Sequence, residues 1–168
     1  MLPLSEAAGR QLRWVLHWPS LLELRAELRD GDDVFVSIRA HLNRTSEATT
    51  ARHYWWLWRV GFFRPKILID AEHHKETAIV FPLRPWSSGG SFEPRPGVAF
   101  DLRRTTFFGS AWEWTDGTET PIVKFVSSQP TEKIGVVTIR RDAFSHPDLD
   151  LLVVLGYVVR SLAASGGG

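Results

Sequence analysis

The chain has 168 residues, a formal net charge of +1, 43% hydrophobic and 23% charged residues, and no cysteine. That length suits one domain burying about two-thirds of its unfolded surface, and the composition excludes a disordered chain. The missing cysteines exclude disulfide scaffolds, thiol nucleophiles, thiolate zinc sites and iron–sulfur clusters, and the near-zero charge argues against bulk electrostatic capture of nucleic acid.

Met1 to Glu6 lack a basic region followed by an apolar run, so no secretory leader is expected and a cytoplasmic location is the default. Residues 14–18 read as a strand. Residues 24–38 read as a hairpin turning at Asp30-Gly31. Leu21, Leu22, Leu24, Arg25 and Leu28 also fit helical spacing, but the Asp-Gly turn that follows favours a strand. Residues 54–63 form the next strand, and residues 67–81 a second hairpin with its turn led by Asp70. After turn-rich separators at 85–90 and 94–97 come a strand at 98–108 and a third hairpin at 112–125. There Trp112 and Trp114 should face a core while Glu113 faces water. A further strand at 134–139 brings the candidates to roughly ten.

Residues 149–159 are apolar nearly all the way round. A helix of that kind must be buried on every side, and it falls short of the roughly 20 apolar residues a bilayer span needs. Ser145 is expected to cap it, Pro147 to occupy its first turn, Asp148 to face the positive end of its dipole and Arg160 to complement the negative end. Gly156 should mark a close crossing by a strand backbone. The expected architecture is mainly β: one domain over residues 1–164, a barrel of about 10–12 strands around a central hydrophobic C-terminal helix at about 147–162, with 165–168 a flexible tail. A barrel so filled should have no lumen for a ligand.

Order adds to composition. Asp-turn segments at Leu68-Ile69-Asp70 and Trp114-Thr115-Asp116-Gly117 precede Ile134-Gly135-Val136-Val137-Thr138-Ile139 and then the run from Asp148 to Gly156. A barrel of short strands threaded by a late hydrophobic helix resembles the tubby-like fold of tubby domains, phospholipid scramblases and LURP-one-related proteins, over residues 12–162. The basic motifs of tubby phosphoinositide binders, the scramblase calcium segment and its cysteine cluster have no counterpart here, and the compact length is most similar to LURP-one-related proteins. The resemblance implies the fold and a role at anionic lipid head groups; it transfers no functional residue.

The residues themselves point to one unusual segment, 52–66, where aromatics alternate with cations. On a strand Tyr54, Trp56 and Trp58 share one face and Trp55, Leu57 and Arg59 the other. Either Trp58 and Phe63 enter a membrane interface while Arg59, Arg64 and Lys66 meet phosphates, or one face packs the core and the N-terminal segment with Trp14 and Trp18 covers the other. Arg103 and Arg104 are further candidate contacts. Glu72-His73-His74-Lys75-Glu76 gathers imidazoles and carboxylates but matches no metal-ligand spacing and reads as a hairpin tip. No catalytic or metal residue and no cofactor is assigned. The expectation is a non-enzymatic, cytoplasmic or peripheral membrane protein without a transmembrane segment, whose partner is an anionic membrane surface or a protein; nucleic acid is disfavoured. An enzyme or small-ligand barrel using histidine and carboxylate residues, and a structural homo-oligomerising domain, remain open.

Overall fold

A computed structural model describes residues 1–165 except 21–22, 42–44, 62, 72–78, 85–88, 106–110, 119 and 128–134. A 3₁₀ turn, Leu4–Ala7, precedes seven strands: β1 (Leu12–Ser20), β2 (Glu23–Asp30), β3 (Asp33–His41), β4 (Thr45–Thr50), β5 (Tyr54–Val60), β6 (Lys66–Ala71) and β7 (Ile79–Pro82). Five follow: β8 (Gly89–Arg95), β9 (Val98–Arg104), β10 (Ala111–Thr115), β11 (Val123–Val126) and β12 (Val136–Ile139). A second 3₁₀ turn, Arg141–Ser145, leads into helix α1, Leu149–Ser165.

The twelve strands form one antiparallel sheet of two meanders, β1 to β7 and β8 to β12, joined where β1 pairs with β12. The free edges, β7 and β8, come together: the Arg84 N–H donates to the Gly89 carbonyl at 2.8 Å, and the Phe81 and Phe92 rings meet edge to face at 6.1 Å. The result is a nearly closed barrel around a single helix. All three expected hairpins form, with Asp30 opposite Asp33, Ile69 opposite Ile79 and Trp112 opposite Phe125. Two strands escape the sequence reading. β4 carries no large apolar side chain, and β8 runs through Gly and Pro residues that read as loop, anchored by buried Phe92.

α1 is buried on every side from Leu149 to Val159, as an all-round apolar helix requires. Trp14 stacks on Tyr157 at 4.3 Å between ring centroids. The Trp114 indole N–H donates to the Leu152 carbonyl at 2.7 Å. The approach at Gly156 is made by a side chain, not by the strand backbone the sequence suggested: a Cβ there would lie 2.3 Å from the Phe125 ring.

The helix start also differs from expectation. Ser145 closes the preceding 3₁₀ turn by donating to the Asp142 carbonyl, so it does not cap α1. Asp148 directly precedes the helix: its carbonyl accepts the Leu152 N–H, while its carboxylate pairs with Arg95 at 2.6 Å. Arg160 lies a turn before the helix end, buried, and donates to Ser127 at the end of β11. The helix runs three residues past the expected 162.

Strands alternate in direction, so ends of odd strands and starts of even strands share one rim, called upper here. α1 enters from the lower rim, where Asp148 meets the end of β8, and emerges at the upper one. The lower rim is plugged by the two 3₁₀ turns, which bury Leu4, Ala7 and Ala143. Arg10 pairs with Asp33 at 2.5 Å, and Arg140 with Asp116 at 3.0 Å and Asp142 at 2.7 Å. Hydrogen bonds from Thr118 and Arg140 outweigh the opposing effect of burial and hold the Asp116 carboxyl at about 2.

Candidate functional site

The candidate binding residues lie towards the upper rim. Trp58 and Arg59 sit near the end of β5, Phe63 and Arg64 in the loop after it, Lys66 at the start of β6, and Arg103 and Arg104 at the end of β9. Strand polarity alone brings these distant segments to one end.

The β5–β6 connection is a tight loop whose shape requires glycine. Gly61 has φ +81°, and a Cβ there would lie 2.6 Å from the Arg64 carbonyl oxygen. The loop holds Phe63 92% exposed, followed by exposed Arg64 and Lys66. Trp18, 63% exposed near the end of β1, stands on the same rim. Sequence reasoning gave Trp18 a covering role over β5. The structure corrects this: three strands separate β1 from β5, and Trp14 points into the core. Tyr54, Trp56 and Trp58 are accordingly half-buried on the outer wall, while Trp55 and Leu57 point inward and are buried.

The charges around the upper rim are not balanced. Its described carboxylates are committed to arginines: Glu23 and Glu47 to Arg39, Glu27 to Arg25 and Arg29, Asp101 to Arg84, and Glu113 to Arg103. Glu113 is therefore buried under Arg103 at 2.8 Å and does not face water as the alternation suggested. Among the described residues, Arg64, Lys66 and Arg104 have no carboxylate in ion-pair range, which leaves the rim net positive. Arg103 is thus partly spent on Glu113, whereas Arg104 is exposed beside it.

Arg59 stands apart from these cations. It shares the inward parity of Trp55 and Leu57 and lines a cleft of about 570 Å³ between the barrel wall and the last turns of α1. Leu24, Ala40, Ser46 and Leu57 lie in one inward-facing cross-strand row opposite Tyr157, Val158, Ser161 and Leu162. Ala40 and Ser46 are too small to reach the helix, and the gap follows. The expectation that the filled barrel has no lumen fails at its upper end.

The histidines do not assemble a catalytic centre among the described residues. His17 is 3.4 Å from Glu27 on the outer wall, His41 is 2.9 Å from Glu47, His53 stacks on Trp55 and His146 packs on Phe100. His73 and His74, with the rest of the 72–76 hairpin tip, lie outside the described residues. Among those described, no group of three or more His, Asp or Glu could hold a metal ion, and no helix is long and apolar enough to cross a membrane.

No protein-family model, curated protein or solved structure matches the chain.

Proposed function

We propose that this protein is a non-enzymatic, tubby-like barrel, of the LURP-one-related kind, that docks on anionic membrane surfaces through its upper rim. One observation carries the reading: Phe63 is presented almost fully exposed on a glycine-shaped loop, followed by Arg64 and Lys66, which have no carboxylate in ion-pair range among the described residues, with Trp18 on the same rim. An aromatic that inserts beside cations that meet head-group phosphates combines apolar burial with about 1 kcal/mol per cation near an anionic leaflet. Arg104 and the exposed side of Arg103 extend the positive field, and Trp58 lies on the outer wall below the loop.

Co-sedimentation with phosphatidylcholine vesicles, with and without phosphatidylserine, tests it. Wild-type protein should partition to the anionic vesicles and release at high salt. The Arg64→Gln/Lys66→Gln variant should lose roughly 30-fold in partitioning, from two cations at about 1 kcal/mol each. Equal partitioning to neutral vesicles, or no loss in the double variant, would sink the proposal.

A protein partner is favoured by a different feature, the outer row Trp58, Leu68 and Val80, which are cross-strand neighbours with Val80 47% exposed. Sedimentation velocity across a hundredfold concentration range separates self-association on this face from rim docking.

A further inference from the structure

We infer that the upper cleft is a binding site for a single-chain amphiphilic carboxylate, with Arg59 as its anion anchor and the gap beside α1 as its tail slot. Its volume, about 570 Å³, lies within the range of small-molecule sites. Its walls are mostly apolar, from Leu24, Leu57 and Ile67 on the barrel to Val158 and Leu162 on the helix.

The polar groups define which end of a ligand goes where. Tyr157 is satisfied by Ser161, and His41 by Glu47 at 2.9 Å. Arg59 is not: its side chain forms no hydrogen bond or ion pair with a described residue, and its Nε is fully enclosed. The enclosed Nε stays out of a ligand's reach, but the Nη groups are not enclosed and can take a carboxylate in a charge-assisted pair. The other charges nearby do not compete. Glu47 is held by a hydrogen bond with His41 and lies 3.9 Å from Arg39, and Arg160 donates to Ser127. The C-terminal dipole of α1 opposes an anion with about half a charge, against the full charge of Arg59. A long apolar tail is required because only the deep part of the cleft, against Leu57 and Val158, repays the ligand's desolvation.

This site is separate from the rim docking proposed above, since Arg59 faces the cleft and Arg64 and Lys66 face out. Calorimetric titration with decanoate below its micellar concentration tests it, with acetate and decyltrimethylammonium as probes lacking the tail or the anion. Decanoate should bind saturably at one site while the other two do not. Arg59→Gln should weaken decanoate about tenfold or more, and Arg59→Lys should recover part of that loss. Ala40→Leu, which keeps the arginine but fills the gap, should abolish binding; it also keeps the test decisive if Arg59→Gln fails to fold. No saturable decanoate binding, equal binding of decyltrimethylammonium, or unchanged binding by both Arg59→Gln and Ala40→Leu would overturn the inference. Vesicle co-sedimentation of Arg59→Gln distinguishes the two readings, because loss of decanoate binding with vesicle binding kept separates cleft from rim; in wild type, vesicle binding without decanoate binding refutes the cleft alone, and decanoate binding without vesicle binding refutes the rim alone.

Discussion

Replacing Gly156 by Ala sets two effects of opposite sign against each other. In an exposed helix the change would add about 1 kcal/mol through helix propensity. Here the new methyl carbon would sit 2.3 and 2.4 Å from two Phe125 ring atoms and 3.0 Å from the Trp114 indole nitrogen. Phe125 and Trp114 are both wholly buried, so the ring has no space to swing into. Overpacking of this kind costs about 1–3 kcal/mol. Displacing Trp114 would also stretch its 2.7 Å bond to the Leu152 carbonyl, adding about 1 kcal/mol. The balance is a net loss of about 1–3 kcal/mol, measurable as a lower urea midpoint at unchanged slope. Phe125→Leu in the Gly156→Ala background should relieve part of the loss, giving a favourable coupling in a double-mutant cycle. A Gly156→Ala protein as stable as wild type or more so would show that the helix does not press on Phe125, and would refute the tight central packing argued for this barrel.

Two further outcomes follow from the ion pairs. Asp116, held at about 2 against an ordinary 3.8, favours the folded state above pH 4 and loses that contribution as pH falls from about 4 to 2. The shift corresponds to about 2 kcal/mol, which solvent screening of this partly exposed pair reduces to about 1 kcal/mol. Acid titration of stability should thus be shallower over this window in Asp116→Asn than in wild type, and identical slopes would exclude the pairing with Arg140. On the outer wall Glu27, only 4% exposed, gathers Arg25 at 2.9 Å, Arg29 at 2.5 Å and His17. Glu27→Gln leaves two arginines crowded without their counter-ion and should cost about 1–2 kcal/mol in urea unfolding; a midpoint within error of wild type would mean that water serves those arginines equally well.

The barrel was legible because most strands carry period-two patterning between turn signals, and the helix because an eleven-residue run, apolar but for Asp150, leaves it no wet face. β4 and β8 were not legible for the same physical reason. Thr45–Thr50 presents only small or polar residues, and Gly89–Arg95 carries Gly and Pro, so neither shows a hydrophobic signal. The candidate cations were found from local composition, but only strand polarity could show that β5, β6 and β9 deliver them to one rim. The split of Arg59 from Arg64 was present in the parity of Trp55, Leu57 and Arg59; what was missing was which parity faces inward. The cleft had no sequence signal, because it arises from Ala40 and Ser46 meeting across strands that only the register aligns.

The aromatic content and the cleft have a common origin. A barrel widens with strand number, and one helix is only about 10–12 Å across with its side chains. A twelve-stranded wall therefore touches a single helix only where large residues bridge the distance. Trp14, Trp114 and Phe125 do this along the helix, at Tyr157, Leu152 and Gly156, and all are wholly buried. At the upper turns the wall presents Ala40 and Ser46 instead, and the bridge fails on that side. The gap is thus a local choice of residue and not a defect of the fold, since a single larger side chain at position 40 could close it. Filling an unoccupied gap ordinarily maintains or raises stability, so a protein in which Ala40→Leu is at least as stable as wild type but no longer takes up decanoate would show that the opening is kept for binding.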